Sequence, residues 1–360
     1  HQLPGEKVHE LTSNSEVTVW MGPGLLGPEA LREELEECVG LVCMLTDRVD
    51  AELLEACPQL KFISSMSVGV DHIDVAAASA RKIPVGNTPG VLVDTTADAT
   101  FALLLAAARR VAEADVFVRG GNWSVDNAWS PDFFVGKDVT GATLGIVGLG
   151  EVGQAVARRA QGFGMQVLGW NRSDKAVPGV EGVDLETLLT QSDFVCVTTA
   201  LAAETHNLIN AERLALMKHD AVLINTSRGG IVDEEALIDA LSSGRLGSAA
   251  LDVFAREPLA ADSPLVRLPN VVLTPHIGSA TQETRRKMAN MAAENALAAL
   301  GNQPMPRCVN PEVYACGVSS ARGRPGPPTP RGWPVMFQAR PCTAPVVTAG
   351  FANRPVRYKP

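Results

Sequence analysis

The stretch "GIVGLGEVG" at 145–153 constrains this chain more than any other. Gly148, Gly150 and Gly153 follow the apolar run "ATLGIV" and open a helical pattern, "EVGQAVARRAQGFG". Strand, glycine turn and helix in that order make a dinucleotide-binding loop. Gly148 allows the tight turn, Gly150 lets the backbone approach a pyrophosphate, and Gly153 lets helix and strand pack closely. Leu149, Glu151 and Val152 complete the loop, with the pyrophosphate expected at the positive end of the helix dipole. Yet the loop stands in the middle of a chain of 360 residues, which is long enough for two domains.

The loop alone does not choose between nucleotides. In NAD-binding sites an acid about 20 residues further on accepts hydrogen bonds from the ribose hydroxyls. Here "GWNRSDK" places Asn171, Arg172 and Ser173 at that point. No carboxylate there repels a 2′-phosphate, and the Arg172 guanidinium can pair with one, so NADP(H) is favoured. The other reading makes Arg172 a solvated turn residue and gives the ribose to Asp174, which keeps NAD(H) possible.

Around the loop the chain alternates short apolar runs with helical stretches. "EVTVW" (16–20), "LVCMLT" (41–46) and "LKFISSM" (60–66) read as strands, with the acidic helix "PEALREELEEC" between the first two. A second series begins at "ATLGIVGLG" and runs through "DFVCVTT", "AVLINTS", "GSAALDV" and "NVVLTPH". This βαβ rhythm implies parallel sheets with helical crossovers. Residues 94–121 read as one long helix, and 282–300 as a closing amphipathic one. The loop after the long helix carries Trp123, Trp129, Phe133 and Phe134, which either pack locally or face a partner.

Composition excludes some classes. The net charge of −9 does not suggest a nucleic-acid partner. That total hides an asymmetry: residues 316–360 hold seven basic residues and no acid. The run "ATFALLLAAA" is about half what a membrane span needs. Cys38, Cys43, Cys57 and Cys196 lie in apolar surroundings and read as buried thiols of a reducing compartment, and no Cys/His spacing suggests a metal. No signal peptide is visible, and a cytoplasmic location is expected, although the chain opens on His1 rather than Met.

Three charged residues lie near strand ends: Arg228 in "INTSRGG", Glu257 in "FAREP" and His276 in "TPHIGSAT". Ligands of open α/β sheets bind in the crevice at those ends, so the three can converge on a nicotinamide. Taken singly, each is explained as well by a turn arginine, a helix-start glutamate or a satisfied histidine.

Taken with "SMSVGVDHID", "GIVGLGEVG", "NTSRGGIVDEEAL" and "ALDVFAREPL", in order and spacing, they make residues 1 to about 313 resemble the D-2-hydroxyacid dehydrogenases. Within that family the chain most resembles the glyoxylate/hydroxypyruvate reductases. The resemblance implies an α/β fold in which a Rossmann-type nucleotide-binding domain (96–282) is inserted in a smaller flavodoxin-like substrate domain (1–95 and 283–313). It implies hydride transfer to a small 2-keto acid in the cleft between them. Arg228 would hold the substrate carboxylate, together with the backbone at Val68 and Gly69 and with Ser279. His276 would protonate the carbonyl oxygen, and Glu257 would orient the imidazole and keep it protonated. Asp252 would orient the nicotinamide carboxamide, while Ala200, Thr226 and Gly278 line the cofactor. A homodimer is implied through the long helix and the loop after it. His72 reads as structural, and His206 and His219 receive no role.

Two departures and two alternatives follow. The short apolar run that precedes "LPGE" in the family is absent, so the substrate domain is expected to lack an edge or central strand. The segment 314–360, with "ARGRPGPPTPRGWP", shows no apolar periodicity and reads as a disordered tail. A phosphoglycerate dehydrogenase remains the alternative within the enzymes. A dinucleotide-sensing co-repressor is the alternative outside them, since such proteins share the fold and the Arg, Glu and His.

Overall fold

A computed structural model describes residues 5–20, 26–127, 129–315 and 334–338, the last of these in backbone only. Two parallel sheets organise them. The larger has seven strands in the order β11 (Val271–Leu273), β10 (Ser248–Leu251), β9 (Val222–Asn225), β8 (Phe194–Val197), β5 (Thr143–Val147), β6 (Gln166–Trp170) and β7 (Glu181–Gly182). The smaller has five: β1 (Glu16–Trp20), β12 (Pro334–Gln338), β2 (Gly40–Cys43), β3 (Phe62–Ser65) and β4 (Val85–Gly86).

Successive side chains of a strand point to opposite faces, so an unbroken apolar run requires cover on both. In β8, Phe194 and Cys196 enter a core with Phe101, Leu104 and Val156, while Val195 and Val197 enter another with Leu188, Leu214 and Leu237. The small sheet repeats the arrangement: Leu41 and Ile63 face Leu31, Leu54 and Val85, and Val42 and Phe62 face Met288, Ala292 and Ala296 of the closing helix. Each fully buried side chain of this size contributes roughly 1.5–3 kcal/mol, which selects this register over one slipped by a residue.

The closing helix runs Gln282–Leu300, and the Thr281 hydroxyl caps it by accepting from Thr284 N–H at 3.2 Å. It packs on the small sheet although it follows the large one in sequence, so the chain leaves the first sheet, builds the second and returns.

Two readings of the sequence are corrected here. The long helix is broken: Val93–Ala108 is followed by a second helix, Val111–Arg119, with Arg110 in the left-handed region at φ 54°. Arg110 is fixed there by two hydrogen bonds to Glu113 and by lying 4.9 Å over the Phe134 ring. The second correction concerns the C-terminal segment. Residues 334–338 form β12, in parallel register with β1 on one side and β2 on the other, so the small sheet does not lack a central strand. Compositional averaging over a Pro- and Gly-rich stretch hides the short apolar core of "PVMFQ". The rest of 316–360 lies outside the described residues. Among the described residues no helix is long and apolar enough to cross a membrane, and no cluster of three or more His, Cys, Asp or Glu is placed to hold a metal.

Candidate active site

The glycine loop leaves β5 and enters the helix Glu151–Gly162. Gly148 sits at φ 105°, and a Cβ at Gly153 would collide with the Gly148 carbonyl, so side chains at these two positions would break the turn. Beside Gly150 the space is open, leaving room for a phosphate to meet the backbone and the helix N-terminus. Leu149 N–H donates to the Asn171 side-chain oxygen at 3.1 Å, which ties the loop to the end of β6. Asn171 in turn donates to Ser173, and Arg172 is exposed, 3.6 Å from Glu204. Both members of that pair are exposed, so it contributes little and yields readily to a phosphate. The cradle therefore fits a dinucleotide.

Arg228 follows β9 and reaches across to the small-sheet unit. Its Nε donates to both Asp71 oxygens at 3.0 and 3.1 Å, and Nη1 donates to the Ser227 carbonyl at 2.9 Å. Nη2 has no acceptor among the described residues, and it lies so close to Gly69 that a Cβ there would strike it. The turn it meets is held by its carbonyls: Val68 O accepts from Asn87 at 2.9 Å, and Gly69 O from the Ser67 hydroxyl at 2.6 Å. The N–H groups of Val68 and Gly69 have no acceptor among the described residues. Arg228 Nη2 and the two amides of the turn it touches are thus three donors left without an acceptor among the described residues, the kind of group that binds a carboxylate.

Behind the turn, Ser65 hydrogen-bonds both Ser67 (2.7 Å) and His72 Nε2 (3.0 Å). His72 Nδ1 is buried without a hydrogen-bond partner among the described residues, and burial holds this imidazole's pKa down at about 4 despite neighbouring Asp71. It is thus a neutral support, as its structural reading from sequence has it.

His276 stands on the turn after β11 with φ 55°, in the left-handed region that a histidine rarely adopts. The surroundings enforce this conformation. Its N–H donates to the Asp252 carbonyl at 2.9 Å, and the Asp252 carboxylate accepts from Ile277 N–H, Gly278 N–H and the Thr274 hydroxyl at 2.8, 2.7 and 2.6 Å. Asp252, proposed from sequence to meet the cofactor, is thus buried and already holds the histidine turn. His276 Nδ1 lies 2.7 Å from Glu257 Oε2, and Glu257 Oε1 accepts from Phe254 N–H at 3.1 Å. Burial raises the Glu257 carboxyl, but the His276 hydrogen bond and charge, the Phe254 N–H and the Arg228 cation together bring it below the usual carboxylate value. With Nδ1 engaged, His276 lines a cleft of about 510 Å³ together with Met44, Leu45, Phe254, Leu259 and Arg285.

The remaining residues read from sequence spread around this centre. Thr226 is buried, its hydroxyl 2.7 Å from that of Thr100. The Ala200 carbonyl accepts from Thr205 at 2.7 Å, and Ser279 is half-buried two residues beyond Ile277. Sequence reasoning missed Asp71, although it sits inside "SMSVGVDHID", and Arg285, a guanidinium lining the cleft with no ion pair among the described residues.

Known proteins resemble this chain over most of its length. The pattern of the D-isomer specific 2-hydroxyacid dehydrogenase NAD binding domain matches residues 101–278. A glyoxylate reductase from Korarchaeum cryptofilum is 48% identical over 316 residues, covering 87% of this chain and 95% of that protein. One from Thermococcus litoralis is 47% identical over 317 residues, covering 87% and 96%. A crystal structure of a Thermus thermophilus protein superposes with a TM-score of 0.80 at 47% identity, covering 85% of this chain and 97% of that one. An NADPH-dependent glyoxylate/hydroxypyruvate reductase from Sinorhizobium meliloti, in complex with NADP and malonate, gives 0.73 at 31%, covering 83% and 97%. The glycine cradle, the split course of the chain and this degree of likeness lead to one conclusion: the chain belongs to the D-isomer specific 2-hydroxyacid dehydrogenases, which bind a nicotinamide dinucleotide.

Proposed function

We propose that the chain reduces small 2-oxo acids, glyoxylate to the achiral 2-hydroxy acid and hydroxypyruvate to its D-2-hydroxy acid, with NADP(H) as the preferred cofactor. The observations that carry this reading are Arg228 Nη2, unspent and set against Gly69 on a turn whose Val68 and Gly69 amides lack acceptors among the described residues, and an imidazole held by a carboxylate. Arg228 and the two amides bind the substrate carboxylate, with Ser279 at the margin. His276 Nε2 gives its proton to the carbonyl oxygen, and Glu257 fixes the ring and balances the imidazolium charge. The nicotinamide supplies the hydride when bound. The Gly148–Gly153 loop would hold its pyrophosphate, and Ala200, Thr226, Asp252 and Gly278 its nicotinamide half. Apolar Met44, Leu45, Leu259 and Leu273 keep the cleft dry on the His276 side.

The cofactor preference rests on Arg172, flanked by Asn171 and Ser173, with no carboxylate among the three. The reductase from S. meliloti, crystallised with NADP, supports it by likeness. For a homodimer the support is the helix Val111–Arg119, which buries no residue, and the loop after it, where Val116 is 70% and Trp129 80% exposed. A steady-state panel of glyoxylate, hydroxypyruvate and pyruvate with NADPH and NADH tests the reading. Oxidation of NADPH by the first two in preference to pyruvate is expected. A clear NADH preference refutes the cofactor assignment, and no turnover of either acid refutes the substrate assignment.

A further inference from the structure

In the small sheet, β1 and β2 do not pair with each other. β12 lies between them, paired Glu16↔Pro334 through Trp20↔Gln338 on one side and Val335↔Gly40 through Phe337↔Val42 on the other. Parallel neighbours sit about 4.8 Å apart, so β1 and β2 are separated by about twice that, beyond any direct hydrogen bond. Among the described residues, β12 is the one strand that β1 pairs with, and it supplies the outer partner of β2. Without it, β1 has no ladder at all and β2 becomes a four-residue edge. Its sequence suits the place: three apolar residues in the middle, and Pro334 at the first position, where a missing N–H is tolerated.

The consequence reaches the cleft. β2 ends at Cys43, and the next residues, Met44, Leu45 and Thr46, form the wall facing His276 and Glu257. β3, the other neighbour of β2, leads into the Val68–Gly69 turn and carries Ser65, which supports it through Ser67.

We propose that the C-terminal segment 334–338 is an inserted strand that positions the substrate wall of the active site: by filling the slot between β1 and β2 it holds Met44–Thr46 in place. The segment is a working part of the catalytic unit, distant in sequence from everything it supports. A chain altered there keeps its nucleotide cradle and loses its grip on the keto acid.

The test uses the full chain. Hydrogen exchange read by mass spectrometry is expected to show 335–338 protected together with 16–20 and 40–43. Met336→Pro removes one ladder N–H opposite Thr18 and Leu41, and exchange in all three segments is expected to rise at least about tenfold while 194–197 and 222–225 stay protected. The KM for glyoxylate rises about tenfold, that for NADPH stays within about twofold, and Met336→Val, a strand former, behaves as the parent. The kinetic arm rests on the reductase reading; the exchange arm does not. Exchange of 335–338 at free-peptide rates beside a protected β1 and β2 overturns the proposal, because another strand then fills the slot. Unchanged exchange and KM in Met336→Pro overturn it equally. Protection of 335–338 that appears only as chain concentration rises assigns the slot to a second copy and overturns insertion within one chain.

Discussion

Arg228→Lys separates charge from shape at the proposed substrate anchor. The native guanidinium spends Nε on Asp71 at 3.0 and 3.1 Å and Nη1 on the Ser227 carbonyl at 2.9 Å, leaving Nη2 without an acceptor among the described residues and, on the proposed reading, open to the substrate. A lysine ammonium carries three donors at a single point, so it cannot hold Asp71 and also present a planar edge beside Gly69. A hydrogen bond to a charged group is worth about 1.5–3 kcal/mol. With about 1.4 kcal/mol per tenfold, losing one such bond lowers kcat/KM for glyoxylate by about 10- to 100-fold. Arg228→Ala removes the charge as well and costs about a thousandfold or more. Asp71→Asn acts only through the arginine, so it costs about five- to tenfold in the parent and nothing further in Arg228→Ala. Steady-state NADPH oxidation across glyoxylate concentrations measures all three, with the KM for NADPH as the internal control. If Arg228→Lys stays within about threefold of the parent, the Val68 and Gly69 amides suffice and the anchor is wrongly assigned.

Two further outcomes follow from groups outside the anchor. His72 titrates at about 4 when folded against 6.5 when free, so between those values the unfolded chain binds a proton that the folded chain does not. Stability therefore falls as pH drops through that window; His72→Gln should flatten the slope of the urea midpoint between pH 7 and about pH 4.5, and an unchanged slope refutes the assignment to His72. Glu257, held below its ordinary 4.5, stabilises above that value and loses the contribution as pH falls through its lower folded value, beneath most of the His72 window. Trp129→Glu places a charge on the exposed apolar loop and should yield monomers by sedimentation; an unaltered dimer, or a monomeric parent, refutes that face as the interface.

How much was legible beforehand follows from how local each feature is. Gly148, Gly150 and Gly153 act within six residues of one another, so their spacing states their purpose. Arg228, Glu257 and His276 each follow a strand of one parallel sheet, and the strand-end rule brings them together without any knowledge of packing. Asp71 and Arg285 carry no local signal: one meets Arg228 across 157 positions, and the other enters the cleft only because the closing helix returns to the small sheet. β12 was hidden for a related reason. Five residues show no periodicity of their own amid prolines and glycines, and their strand character comes from the slot they enter. The break at Arg110 was concealed because a left-handed residue held by Glu113 and Phe134 interrupts a stretch whose helical propensity runs on unbroken.

The account stands or falls on His276 as the proton donor. Single-turnover reduction of glyoxylate by His276→Gln with NADPH bound in advance tests it directly, since cofactor binding and product release are then removed from the rate. Glutamine occupies the turn without an acidic proton, so hydride transfer should slow by about 10²- to 10⁴-fold while NADPH affinity stays within about twofold. Hydride transfer at the parent's rate in His276→Gln would contradict the mechanism at its centre.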